Sequence, residues 1–152
     1  MVYSFGKENY DGQLGQNDKE PRNLPTLISS LKSTGEKIVS VSCGFKHVLC
    51  KSNLGKVFLW GAGSDGQLGF DSLENEYSPK QLNLEKYLHV SKNTLKTLQA
   101  KAGFRCSIIL LENRRIYWWG TNSILKQMPT PQKLDYTLYL QVNIFFFFFF
   151  FF

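Results

Sequence analysis

The sequence predicts an all-β protein assembled from repeats, and three observations carry that prediction. A short apolar strand ending in glycine occurs three times, as Val2-Tyr3-Ser4-Phe5-Gly6, Val57-Phe58-Leu59-Trp60-Gly61 and Ile116-Tyr117-Trp118-Trp119-Gly120, at spacings of 55 and 59 residues. β-Branched and aromatic side chains of this kind suit a pleated, half-buried surface. A glycine-rich turn follows the first two, Asp11-Gly12-Gln13-Leu14-Gly15 and Asp65-Gly66-Gln67-Leu68-Gly69, 54 residues apart. Asp-Gly is a strong turn pair because glycine takes positive φ without steric cost. Finally, the block from Ile38 to His47 aligns without a gap to the block from Thr97 to Cys106, at an offset of 59. Self-similarity at a fixed period is the mark of a repeat architecture.

In chain order, residues 2–6 form a strand, residues 7–15 its turn and residues 16–24 a polar loop. Pro25 opens an apolar segment reaching Ile28. Proline lacks the ladder N–H and belongs at a sheet edge or a strand start. Pro79 stands ten residues after its own turn, as Pro25 does. Ser33-Thr34-Gly35 marks a turn within residues 31–37. In the first aligned block Val39, Val41 and Cys43 alternate with polar residues, as Leu98, Ala100 and Ala102 do in the second. Period two predicts strands with one buried face carrying those side chains. Gly44 and Gly103 end these strands, and residues 47–51 begin the next. Asn53-Leu54-Gly55-Lys56 is a hairpin connection into Val57. Its counterpart, Asn113-Arg114-Arg115, has no glycine, so Asn113 is expected to supply the left-handed conformation. Residues 83–96 are longer than their counterpart and read as a loop insertion. A helix through Leu84, Leu88 and Leu95 is opposed there by Val90, Asn93 and Thr94.

The pattern resembles the regulator-of-chromosome-condensation repeat: an aromatic strand ending in Trp-Gly, a Gly-Gln-Leu-Gly turn, a later proline, then V-x-C-G-x-x-H. The residues that carry it are Phe5, Gly6, Gly12, Gln13, Leu14, Gly15, Pro25, Val41, Cys43, Gly44 and His47. In the next copies they are Trp60, Gly61, Gly66, Gln67, Leu68, Gly69, Pro79, Ala102 and Gly103, then Trp119 and Gly120. The resemblance covers residues 2–134, with copies at about 2–56 and 57–115 and a partial one at 116–134. Cys106 stands where the family has histidine, and the third copy carries Thr121-Asn122-Ser123-Ile124-Leu125 in place of Gly-Gln-Leu-Gly.

The family implies a β-propeller of about seven blades, each a small four-stranded antiparallel sheet. About two and a half repeats make a partial propeller, and a partial array leaves sheet edges open. The chain therefore reads as a fragment whose remaining blades come from missing sequence. The resemblance also implies a non-enzymatic protein-interaction module. The family's best-known activities are guanine-nucleotide exchange on a small GTPase and chromatin binding. Other members serve as scaffold or regulatory propellers in larger proteins such as ubiquitin ligases and kinases.

The net charge of +6 is unevenly placed. Residues 1–76 carry −1 and residues 77–152 carry +7. A basic half admits nucleic acid or chromatin as a partner, but apart from Arg114-Arg115 the cations are scattered over polar loops. Cys43, Cys50 and Cys106 make an odd set without a C-x-x-C pair, which argues against a disulfide framework and for an intracellular protein, cytoplasmic or nuclear. The first residues show neither a basic nor an apolar leader region, so no signal peptide and no membrane partner are expected.

Residues 135–152 read as a tail outside the domain. They end in eight phenylalanines, too short a run for a membrane span and aggregation-prone. Val142-Asn143-Ile144-Phe145 can be written GTA-AAT-ATT-TTT, which opens like an intron donor and runs into poly-T. Translated intron is the reading, and the transcript across codon 141 decides it.

No residue set supports catalysis or a cofactor. His47 and His89 are the only histidines, and His47, in a repeat position, is expected to satisfy a backbone group between strands. The spacings of Cys43, His47, Cys50 and Cys106 are not those of a zinc site. His47 and Cys50 also differ by an odd number within one strand and should face opposite ways. Gly61-Ala62-Gly63-Ser64-Asp65-Gly66 matches G-x-G-x-x-G, but the dinucleotide fingerprint needs a helix straight after it. Trp60 and Trp119 are expected to fill the gaps between adjacent blades. Trp118, on the opposite face of its strand, is the one candidate platform for stacking bases.

Overall fold

In a computed structural model the chain is described over residues 1–88, 96–121 and 127–134. His89, residues 122–125 of the third copy and the tail from 135 lie outside the described residues. Among the described residues ten strands form three antiparallel sheets. Strands β1 (Tyr3–Gly6) and β2 (Arg22–Leu27) make a two-stranded sheet among the described residues. The second sheet runs in chain order through β3 (Ile38–Cys43), β4 (His47–Ser52), β5 (Val57–Gly61) and β6 (Glu76–Gln81). The third does the same through β7 (Thr97–Ala102), β8 (Cys106–Leu111), β9 (Ile116–Gly120) and β10 (Met128–Lys133). The last two sheets are propeller blades. The first three strands of one match those of the other at an offset of 59.

Each four-stranded sheet takes two strands from one repeat copy and two from the next, so successive copies are stitched across the sheets. Prolines 25, 79, 129 and 131 all lie on the outermost strands β2, β6 and β10, where a missing N–H costs no ladder bond. In the hairpin between β4 and β5, Gly55 takes φ of +81°. Its counterpart is Arg114 at +62°, not the expected Asn113. The Asn113 side chain instead accepts a hydrogen bond from the Arg115 N–H at 3.1 Å, and this Asx turn forces its neighbour into the left-handed region.

Among the described residues two short helices lie in the connections between strands. Helix α1 (Ser29–Ser33) precedes the turn at Gly35 and buries Leu31. Helix α2 (Leu84–Leu88) opens the segment 83–96 that reads as a loop insertion, and residues 89–95 of that segment lie outside the described residues. Leu84 and Tyr87 pack against the core there, and one apolar turn suffices when tertiary contact supplies the stability.

Apolar side chains gather in two seams between sheets. The first joins Ile28 and Leu31 to Val48, Cys50, Phe58 and Trp60. The second joins Leu49 and Leu59 of one sheet, with Leu68 of its turn, to Ala100, Ile109, Tyr117 and Trp119 of the next. His47 and Cys50 point to opposite sides of β4, as their spacing requires: His47 reaches the third sheet and Cys50 the first seam.

Strand β3 departs from expectation. Val41 and Cys43 are exposed, whereas Ala100 and Ala102 at the matching positions of β7 are buried. The face of β7 rests on the second sheet, but the same face of β3 looks toward the first sheet, which has two strands among the described residues. Val39 and Leu98 are exposed for a local reason. The register slips at each, which makes it the unpaired residue of a bulge.

Candidate functional site

The Gly-Gln-Leu-Gly turn is the joint between sheets, and each of its residues has a separate task. The Trp60 indole N–H donates to the Gln13 carbonyl at 3.0 Å, and that of Trp119 to the Gln67 carbonyl at 2.8 Å. The last glycine makes room for the ring: a Cβ on Gly15 or Gly69 would lie 2.8 or 2.7 Å from the indole nitrogen. The glutamine side chains close their own turns, accepting from the N–H of Asp11 and Asp65 at 3.1 and 2.8 Å. Leu14 and Leu68 are buried beneath, and the first glycines meet the next sheet at Tyr77 and Pro129. Each strand-end tryptophan thus staples its sheet under the turn of the sheet before it. Phe5, at the matching position of β1, is 64% exposed, because no preceding turn stands over it among the described residues.

A polar chain crosses the second seam. His47 is fully buried, and its Nε2 lies 3.0 Å from the Ser107 hydroxyl. Ser107, also buried, donates to the Gln67 carbonyl at 2.7 Å. A carbonyl can only accept, so the Ser107 proton is committed there and His47 donates from Nε2. Gly44 is small for this ring: a Cβ on it would stand 2.3 Å from the imidazole. Cys106, in the histidine's place one copy later, fills the corresponding space beside Gly103 with sulfur. Ser107 escaped sequence reasoning because its counterpart in the aligned copy is Val48, which carries no polar signal.

A serine–histidine pair invites a catalytic reading, and its surroundings exclude one. Neither side chain reaches solvent. Burial pushes the His47 pKa down to about 4, against a smaller opposing effect of the Cys106 backbone, so the ring stays neutral. A general base must reach its substrate and titrate near the working pH. Burial likewise raises the thiols of Cys50, to about 12, and Cys106, and partial desolvation raises that of the exposed Cys43, which disfavours the thiolate a nucleophile needs. Trp118 is 8% exposed and offers no open ring for a base. The G-x-G-x-x-G run leads through turns into β6, and no helix follows it.

The buried histidine makes stability depend on pH. Above about 6.5 both folded and unfolded chains hold a neutral imidazole, and the native state has its full stability. As pH falls from about 6.5 to about 4, the unfolded chain takes up a proton that the folded chain refuses. Stability therefore drops through that window, by on the order of 3 kcal/mol. His47→Gln, compared with the parent in urea titrations at several pH values, is expected to lack this component. Equal pH slopes in the two proteins would refute the assignment.

Loops at one end of the sheets carry the exposed chemistry. Lys46, between β3 and β4, pairs with Asp11 at 3.0 Å, and Arg105, between β7 and β8, pairs with Asp65 at 3.5 Å. Beside them Phe45 and Phe104, each 56% exposed, stack with ring centroids 4.5 Å apart. These phenylalanines repeat at the offset of 59 within the aligned blocks, a signal legible in the sequence. Among the described residues no group of three His, Cys, Asp or Glu could hold a metal ion, and no helix is long and apolar enough to cross a membrane.

Comparison with known proteins agrees with this geometry. The regulator of chromosome condensation (RCC1) repeat profile matches residues 1–50 and 55–110, and a second profile of that repeat matches residues 38–67. The human probable E3 ubiquitin-protein ligase HERC6 is 35% identical over 123 residues, which are 80% of this chain and 11% of HERC6. The human X-linked retinitis pigmentosa GTPase regulator is 33% identical over 122 residues, again 80% of this chain and 11% of that protein. Prp20p from Saccharomyces cerevisiae, whose structure was described with its binding properties to Gsp1p and histones, superposes with a TM-score of 0.73 at 26% identity. That match covers 88% of this chain and 34% of Prp20p. The chain thus spans about a tenth to a third of the length of these relatives. On its repeated strands, its stapling turns and these matches, the chain belongs to the regulator of chromosome condensation (RCC1) repeat family.

Proposed function

We propose that the chain is a non-enzymatic protein-interaction module, part of a longer propeller that acts as a scaffold within a larger protein. One observation carries this reading. The residues with chemical potential, His47, Ser107, Gln67, Trp60 and Trp119, are consumed in joining sheets, while the exposed charged and aromatic side chains collect on loops at one end. A rigid scaffold that presents loops is the usual arrangement for recognition. The chain's similarity to a protein named as a ubiquitin ligase and to another named as a GTPase regulator supports one module serving different whole proteins.

A second reading, guanine-nucleotide exchange on a small GTPase, is favoured by the similarity to the GTPase regulator and to Prp20p. Release of a fluorescent nucleotide from purified small GTPases, paired with direct binding of the same proteins, separates the two. Binding with an unchanged release rate supports the scaffold, and accelerated release supports exchange. Absence of both removes small GTPases as partners. A parallel titration with duplex DNA tests chromatin binding through the basic half, for which a steep loss of affinity with salt is the signature.

A further inference from the structure

Phe45 and Phe104 are an unusual use of large apolar side chains. Each lies more than half exposed in a loop, yet the rings lie 20° from parallel, with centroids 4.5 Å apart. The stack is held from below, since the Phe45 N–H donates to the Phe104 carbonyl at 3.1 Å. Two sheets therefore contribute one rigid aromatic ridge, and a preformed ridge loses little freedom when a partner docks.

The charges beside it are arranged by depth. Lys46 Nζ lies 5.8 Å from the centre of the Phe45 ring, and the Arg105 guanidinium 5.6 Å from that of Phe104. Both cations are ion-paired, to Asp11 and Asp65. Within each pair the cation is the outer member: the Lys46 and Arg105 side chains are 45% and 51% exposed, their carboxylates 23% and 24%. An approaching surface meets rings and positive charge first. The aspartates behind hold the cations in place and are screened from the partner.

We propose that this ridge, Phe45-Lys46 with Phe104-Arg105, docks an acidic segment of a partner protein, in which carboxylates meet Lys46 and Arg105 and an interleaved apolar side chain covers the rings. The inference rests on the protein-interaction reading and names its partner class. Single-stranded nucleic acid fits less well, because the two rings already touch and no base can enter between them.

The test uses the full chain and three probes: a short labelled peptide alternating glutamate and leucine, its counterpart with lysine for glutamate, and an oligothymidylate. Fluorescence anisotropy is followed for the parent, for Phe45→Ala/Phe104→Ala and for Lys46→Gln/Arg105→Gln. The acidic peptide is expected to bind the parent and to lose about tenfold in affinity in either double variant, with weakening as salt rises. Tryptophan fluorescence of the variants should match the parent, because the four side chains lie outside the seams.

The proposal is overturned if the acidic peptide binds no better than its lysine counterpart or binds all three proteins alike. Tighter retention of the oligothymidylate would reassign the ridge to nucleic acid. A mass that rises with concentration only when the rings are intact would reassign it to a second copy of the chain. A small GTPase bound equally by the parent and both variants would remove the ridge while leaving the interaction reading in place.

Discussion

Replacing Trp119 with alanine is expected to cost about 3–5 kcal/mol, the range for a large aromatic removed from a packed core. The indole is fully buried and sits at the centre of the second seam. Its N–H is one of two donors to the Gln67 carbonyl, and its ring fills the space that Gly69 leaves open. Whole domains are stable by only about 5–15 kcal/mol, so the substitution should remove much of the folded population. Trp119→Phe should cost less. It keeps most of the apolar contact, and Ser107 still satisfies the carbonyl. Trp60→Ala should also cost less than Trp119→Ala, because the first seam packs against a sheet of two strands and is smaller. Urea titrations followed by circular dichroism check the order. A Trp119→Ala loss below about 1 kcal/mol would mean that the staple does not hold the sheets together.

The second large effect is expected at Gly63, for a reason unrelated to backbone freedom. A Cβ there would stand 1.9 Å from the Glu74 carbonyl oxygen and 2.6 Å from its carbon. Both are backbone atoms of the loop that returns to β6, so no side chain can swing aside. Gly63→Ala is expected to destabilise by about 3 kcal/mol or more, at the upper end for overpacking. The comparison is Gly35→Ala. Gly35 has a left-handed φ of +71° but nothing within 4 Å of an added Cβ. Only conformational strain applies there, about 1 kcal/mol. Thermal midpoints of the two variants should therefore differ widely, and equal midpoints would contradict the close approach.

Most of the framework is legible in the sequence because the repeat is. Strands β4, β5, β8 and β9 alternate or run apolar in both copies, and the placement of Trp60 and Trp119 follows from their positions at strand ends. What is not legible depends on the neighbour rather than on the strand. The alternation of Val41 and Cys43 marks one face correctly but cannot say whether a sheet covers it. The left-handed residue at Arg114 is set by the turn that Asn113 closes, against the local preference of arginine. Asn9 reads as a loop residue, yet it is buried, accepting from the Leu14 N–H and donating to the Asp18 and Glu20 carbonyls. The pairing of His47 with Ser107 spans 60 residues and has no counterpart in the other copy, so periodicity could not find it. The exposed phenylalanines were visible as a repeated pair, but their stacking required the fold to bring two loops together.

The tryptophan staples join adjacent sheets into one cooperative array. Hydrogen exchange at the indole N–H groups reports on this joint, because those of Trp60 and Trp119 donate across sheets to the Gln13 and Gln67 carbonyls. Both indole protons are predicted to exchange slowly, in the same opening event that exposes the amides of β4, β5, β8 and β9. Indole exchange at free-peptide rates while those amides stay protected would show sheets that fold without being stapled.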